Sequence, residues 1–165
     1  MPDATAELVI NTGPIISLVA AMGNLTLLDQ LYERVVVPHE VARELTVDSA
    51  GRFAAREFLE ASWLEKRTER IDVRPLLSSI LDPGEAAVIA TAEQHGIKAV
   101  CIDESAGRRV ARMAGLRVTG SLGVLLRAKR EGRPLLLRDC IQRMRTHGIH
   151  LADGLVEGAL RQAGE

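Results

Sequence analysis

The chain has 165 residues and a mass of 17.9 kDa, with 47% hydrophobic and 26% charged residues. That is one domain's worth of globular protein with apolar material enough for a core, which excludes disordered, collagen-like and coiled-coil classes. The formal net charge of −1 argues against a nucleic-acid partner only when charge is taken as a total.

In chain order, short β-branched runs alternate with helix-length amphipathic segments. Leu8-Val9-Ile10 reads as a strand ending at Asn11. Gly13-Pro14 then opens a helix to about Met22, with proline at the first helical position, where its missing N–H has no intrahelical partner to lose. A second helix is expected from Asn24, as N-cap, to Glu33. Arg34-Val35-Val36-Val37 reads as a buried strand stopped by Pro38. Helices follow over 39–46 and 50–61, and a strand over 63–68.

Asp82-Pro83-Gly84-Glu85 starts the clearest helix, which ends near Gly96. Ile97 to Ile102 is the next strand, followed by a helix from Ser105 to Ala114 and a short strand Leu116-Arg117-Val118. The remainder reads as three helices broken at Gly132-Arg133-Pro134 and at Gly148. Such alternation with short connections implies a parallel sheet covered on both faces. The apolar stretch from Leu8 to Leu28 is broken by Asn11, Gly13, Pro14, Gly23 and Asn24, so it does not read as a membrane span. Asp3 and Glu7 occupy the place of a basic leader region, and a cytoplasmic chain is expected. Cys101 and Cys140, far apart and without ligand spacing, read as reduced buried thiols. His39, next to Pro38, reads as a loop residue, and none of the four histidines has zinc-like spacing.

In open parallel α/β sheets ligands bind beyond the carboxyl ends of the strands. The first strand delivers Asn11 and Thr12 there, and the 97–102 strand delivers Asp103 and Glu104. Two helices add Glu44 and Glu85. Carboxylates converging on one edge repel unless a divalent cation lies between them, and Mg²⁺ and Mn²⁺ prefer such oxygen ligands. Each residue also has a plainer reading. Asp82 and Glu85 have capping-box spacing, Asp103 suits a helix cap, and Glu44 suits a solvated helix face. Likewise Gly120-Ser121-Leu122-Gly123 suits either a phosphate cradle or a simple helix start.

Charge is distributed unevenly. Residues 1–103 carry a net −7, residues 104–145 a net +8, and the last twenty −2. The basic block is almost all arginine, whose planar donor fork suits phosphates; a solvated surface or a contact with acidic helices is the alternative. Aromatic residues make up only 2% of the chain, which disfavours recognition of RNA by base stacking and directs any RNA contact towards phosphate.

Val9-Ile10-Asn11-Thr12-Gly13-Pro14-Ile15-Ile16, Val35-Val36-Val37-Pro38 with Glu44, Leu81-Asp82-Pro83-Gly84-Glu85-Ala86 and Ile102-Asp103-Glu104 together resemble the PIN-domain succession. The likeness is closest to a prokaryotic PIN-like group sharing the N-T-[SG]-P opening. Its I-D-E-x-x-G-R-R-x-A segment matches Ile102 to Ala111, and its T-G-[ST]-L-G-x-L-L-x-A-K-x-x-G run matches Thr119 to Gly132. The resemblance implies a three-layer α/β fold with a central parallel sheet over 1–132, and a helical C-terminal extension over 133–165 packed on the same domain. It implies a Mg²⁺- or Mn²⁺-dependent ribonuclease similar to the VapC-type toxins of toxin–antitoxin pairs. The partners would then be an RNA substrate, a small antitoxin and a second copy of the chain, with no membrane.

Residue by residue, the resemblance puts Asn11 where the family's first aspartate is usual and Thr12 at the adjoining hydroxyl. Glu44 stands as the second acid, with Glu40 one helical turn before it as the competing choice. Glu85 stands as the third acid, Asp103 as the fourth, and Glu104 as an auxiliary metal ligand. Arg108, Arg109 and Arg112 would hold the RNA backbone. Asn11 is a departure from the pattern: its amide oxygen can coordinate a cation but brings no charge. The apolar positions Leu135, Leu136, Ile141, Met144, Leu151, Leu155 and Leu160 are expected either to cover the sheet or to form a homodimer seam.

Overall fold

A computed structural model describes residues 6–47 and 53–165. Asp3 and the first residues of the expected 50–61 helix lie outside this range. Five short strands form one sheet: β1 (Glu7–Ile10), β2 (Arg34–Val37), β3 (Glu65–Lys66), β4 (Ala99–Cys101) and β5 (Arg117–Thr119). Their order is β3-β2-β1-β4-β5 and every pairing is parallel. The ten helices of the described residues are α1 (Thr12–Met22), α2 (Thr26–Leu31), α3 (His39–Thr46), α4 (Ala55–Glu60), α5 (Pro75–Ile80), α6 (Pro83–His95), α7 (Ser105–Met113), α8 (Ser121–Arg130), α9 (Leu137–Thr146) and α10 (Asp153–Ala163).

The expected α/β class with a parallel sheet flanked by helices is what the chain adopts. The β1–α1–β2 and β4–α7–β5 units step in opposite directions along the sheet, so right-handed crossovers put α1 and α7 on opposite faces. Strand order reverses between β1 and β4, which opens a crevice beyond their carboxyl ends. The central three strands are almost wholly buried, with Leu8, Val9, Ile10, Val35, Val36, Val37 and Val100 at 2% exposure or less. This explains their uninterrupted β-branched runs. Helix α6 is buried on every side from Gly84 to Ala92, and its alanines let it pack closely on β1 and β4.

Several boundaries differ from the expectation. Helix α1 begins at Thr12, so Pro14 is its third residue; proline still fits, because the first turn needs no intrahelical N–H bonds. Helix α2 begins at Thr26, because the Asn24 side chain accepts from both the backbone N–H and the hydroxyl of Thr26 in a local turn. The 63–68 run forms only the two paired residues of β3, and β4 is confined to the three residues that pair with β5. Strand β5 lies one residue later than expected because Arg117, Val118 and Thr119 find the register with Ala99, Val100 and Cys101. His39 opens α3 rather than lying in a loop.

Helix α5 has no counterpart in the sequence reading. It is one and a half turns long with only Leu77 buried, too short to show a helical period. Helix α9 lies on α1, and α10 lies on α8 and α9. Ile141 and Met144 are buried in that packing, whereas Leu136 and Leu155 face outward at 57% exposure each. Cys101 and Cys140 are free and buried, and burial raises both thiols above their ordinary pKa. No described helix is long and apolar enough to cross a membrane.

Candidate functional site

The crevice beyond β1 and β4 is closed at its floor by the Asn11 N–H, which donates to the Cys101 carbonyl at 3.0 Å. Asn11 itself is 6% exposed. Its neighbour Thr12 donates its hydroxyl to Glu44 Oε2 at 2.9 Å, which draws α3 towards the first turn of α1. Glu40, one turn earlier, turns elsewhere: its Oε2 accepts from the Ile71 N–H at 3.4 Å. Of the two competing acids, Glu44 is therefore the one beside Thr12.

Asp82 and Glu85 form the capping pair that their spacing suggests, with the Glu85 N–H donating to Asp82 Oδ1 at 2.8 Å. Capping does not exhaust Glu85. Its side chain is 5% exposed, and burial raises its pKa, with the negative charges of Asp82, Glu104 and Glu44 adding to the rise. It therefore senses acids from both sides of the crevice.

Asp103 follows β4 but does not cap α7, the helix after it. Its Oδ1 accepts the backbone N–H of Ser121 at 2.8 Å and the Ser121 hydroxyl at 3.2 Å. The helix start at Gly120-Ser121 is thus an anion cradle, and the anion in it is the protein's own carboxylate. Burial raises the Asp103 pKa, against the lowering pull of the Ser121 hydrogen bonds and the Arg108 charge. Glu104 is the exposed N-cap residue of α7, and no side chain caps that helix start.

Three glycines back these carboxylates, and none has a positive φ. A Cβ on Gly84 would lie 2.5 Å from Glu44 Oε1 and 3.2 Å from Asn11 Oδ1. One on Gly107 would lie 3.2 Å from the Glu85 carboxyl carbon, and one on Gly120 would lie 2.6 Å from Asp103 Oδ1. Gly84 and Gly107 stand inside helices, where glycine costs about 1 kcal/mol relative to alanine. The sequence weighs Gly120-Ser121 as a phosphate cradle or a plain helix start and gives Gly84 and Gly107 no site role; a helical glycine with no turn to serve is the signal those two carry.

The arginines separate into two kinds. Arg108 turns inward and donates to the Ile102 carbonyl at 2.8 Å, beside Asp103, so it braces the site rather than presenting itself to a ligand. Arg109 and Arg112 are exposed on α7. Much of the remaining basic block fastens helix ends. Arg143 donates to the Ala21 carbonyl at the end of α1 at 2.6 Å, and Arg127 to the Leu31 carbonyl at the end of α2 at 2.8 Å. Lys129 and Arg138 engage Glu165, and Arg145 pairs with Asp153.

The donors around the crevice are all oxygens: carboxylates, an amide and a hydroxyl, the set that suits a hard divalent cation. Among the described residues, no three His, Cys, Asp or Glu side chains stand together closely enough to hold a metal ion. The carboxylates lie instead as two groups, Glu44 with Asn11 and Thr12, and Asp103 with Ser121 and Arg108, with Glu85 between them.

A doubly covered parallel sheet with acidic residues at its switch point defines an α/β protein with a ligand crevice of the nucleotide-handling kind. A sequence model of the PIN domain matches residues 7–165. The chain belongs to that family, which places it in the PIN-domain nuclease superfamily. No curated protein and no solved structure matches it.

Proposed function

We propose that the protein is a metal-dependent endoribonuclease that hydrolyses RNA phosphodiester bonds, acting as the toxin of a toxin–antitoxin pair in the cytoplasm. The observation that carries this reading is the set of three glycines, Gly84, Gly107 and Gly120, each kept bare against a different site carboxylate. A side chain at Gly84 or Gly120 would strike Glu44 or Asp103 first, while one at Gly107 would meet Ile102 at 3.0 Å and the Glu85 carboxyl carbon at 3.2 Å.

Glu44, Glu85 and Asp103 would hold Mg²⁺ or Mn²⁺ once their separated carboxylates are drawn together, with Glu104 and the Asn11 amide oxygen as further donors. The cation would polarise the scissile phosphate and supply an activated water. Thr12 orients Glu44 by its hydroxyl, and Ser121 fixes Asp103 by two hydrogen bonds. Arg108 keeps positive charge behind Asp103. The uncapped first turn of α7 offers backbone N–H groups to a phosphate oxygen.

The test is cleavage of single-stranded RNA by purified protein with Mn²⁺, with EDTA and the Asp103→Asn and Glu85→Gln variants as controls. Asparagine retains an acceptor for Ser121, so the first variant isolates the charge. Cleavage that is lost in EDTA and in both variants supports the reading; cleavage indifferent to them overturns it. A second reading, an inactive member that binds RNA or a protein partner, is favoured by the uncharged Asn11 and the separated carboxylates. It predicts RNA binding with no turnover in Mn²⁺. An antitoxin partner is to be sought by co-expression with any short reading frame found beside the gene, and a homodimer by light scattering.

A further inference from the structure

Asn11 does not do what asparagine ordinarily does at a helix start. It is the N-cap residue of α1, with φ −88° and ψ 169°, an extended geometry from which its side chain could accept an N–H of the first turn. It accepts none, and its amide has no other hydrogen-bond partner among the described residues. Yet the residue is only 6% exposed, and its backbone N–H is pinned to the Cys101 carbonyl. Neither amide atom is fully enclosed, and the little surface they keep opens on the crevice beyond β1. A polar group buried this far without a partner in the protein is costly unless something in the crevice meets it.

The crevice is rich in acceptors and short of donors. Glu44, Glu85 and Asp103 bring carboxylates. Thr12 donates its hydroxyl to Glu44, Ser121 donates its hydroxyl to Asp103, and Arg108 donates to the Ile102 carbonyl. Among these side chains the Asn11 Nδ2 group is the donor wholly without a protein acceptor. The Asn11 oxygen lies towards Gly84, on the side that Glu44 Oε1 also approaches, which suits a cation. The nitrogen is the edge left for a second ligand, and that ligand must present an acceptor.

We propose that Asn11 is a substrate-binding residue, its Nδ2 group donating to a nonbridging oxygen of the RNA phosphodiester in the crevice. The proposal rests on the site's being that of a cation-dependent ribonuclease. An aspartate in the same place would add charge for the cation but offers only acceptors, and so would repel the phosphate oxygen that the amide attracts. The exchange of carboxylate for amide at residue 11 thus trades cation affinity for a direct hold on the substrate.

The experiment reads the two affinities separately, in wild type, Asn11→Ala and Asn11→Asp. Fluorescence anisotropy follows a labelled 12-nucleotide RNA in Ca²⁺, with the RNA verified as intact on a gel, and calorimetry follows Mn²⁺ without RNA. Thermal melting verifies folding, which neither variant should abolish because the side chain makes no bond within the protein. Asn11→Ala is expected to lower RNA affinity about 10-fold or more, as loss of a hydrogen bond to a charged group does, while Mn²⁺ affinity moves far less. Asn11→Asp is expected to change the two in opposite directions, binding Mn²⁺ more tightly and RNA more weakly than wild type. RNA affinity that is unchanged in Asn11→Ala, or that rises together with Mn²⁺ affinity in Asn11→Asp, overturns the proposal, as does a wild type that binds no RNA. Weakened RNA binding in both variants with no cleavage by wild type in Mn²⁺ keeps the Asn11 contact and removes hydrolysis. Cleavage by wild type with RNA affinity indifferent to residue 11 does the reverse.

Discussion

The Asp103 carboxylate accepts the Ser121 N–H at 2.8 Å, so a residue at the end of β4 closes the start of α8, eighteen positions later in the chain. The contact ties the candidate site to the helix that roofs the β5 side of the sheet. Gly120, the N-cap of α8, makes it feasible: its φ of −133° is open to any residue, but a Cβ would come within 2.6 Å of Asp103 Oδ1 and 2.9 Å of an Arg108 terminal nitrogen. Gly120→Ala is therefore expected to displace Asp103, abolish Mn²⁺-dependent cleavage, and cost about 1–3 kcal/mol of stability as overpacking does. Urea denaturation and an RNA cleavage assay check both parts. Wild-type stability and activity together would show that Asp103 is not held as described.

Gly84→Ala separates site from fold. The new methyl meets the far end of the flexible Glu44 side chain, which can swing aside at little cost to folding. Alanine in a helix is also worth about 1 kcal/mol over glycine. Stability is expected to be unchanged or slightly raised while Mn²⁺ affinity falls, as read by calorimetric titration beside a thermal melt. A variant that melts earlier and still binds Mn²⁺ as wild type does would deny Glu44 its place in the site.

The strand ends are legible in the sequence because fully buried parallel strands show as uninterrupted apolar runs; the runs of β1 and β4 stop at polar residues and that of β2 at Pro38. Thus Asn11, Thr12, Asp103 and Glu104 are readable as crevice residues from the chain alone. The choice of Glu44 over Glu40 is not, since both lie on one helix a turn apart and only the Thr12 hydroxyl distinguishes them. The arginines mislead for a related reason. Arg127 and Arg143 look like solvent-facing or ligand-binding charges in the sequence, but they fasten carbonyls of α2 and α1 that are 96 and 122 positions away. Non-local helix capping leaves no local pattern. Arg108, expected against RNA, is likewise taken up by the Ile102 carbonyl.

Asn11→Asp tests the departure from the family pattern. The substitution puts a further negative charge at a 6% exposed position, against the Glu44 side of the crevice. Without metal the extra repulsion is expected to lower the melting temperature. With Mn²⁺ the same charge becomes a ligand, so the metal-induced rise in melting temperature should exceed that of wild type. Differential scanning fluorimetry with and without Mn²⁺ reads both. A variant that is destabilised equally in the two conditions would mean that no cation binds beside residue 11.

Glu165 gives the pH dependence its sign. Its carboxylate accepts the N–H groups of Leu137 and Arg138 at the start of α9, at 2.7 and 3.1 Å, and pairs with Lys129 of α8. Residues of α8, α9 and the end of α10 are thus joined at one side chain. The Lys129 hydrogen bond, more than the backbone ones, lowers its pKa below the ordinary carboxylate value. A depressed folded pKa means the unfolded chain takes up the proton first, so this contribution is present in full above the ordinary carboxylate range and is lost as pH falls through the folded value. Glu165→Gln keeps an acceptor for the α9 start but loses the charge facing Lys129, and should melt earlier than wild type at pH 7, in line with the about 0.3–1 kcal/mol that a negative charge is worth at a helix N-terminus. The gap should close as the pH is lowered below the carboxylate range. Melting curves for the two proteins across that range test the sign directly, and a gap that widens with acid would contradict it.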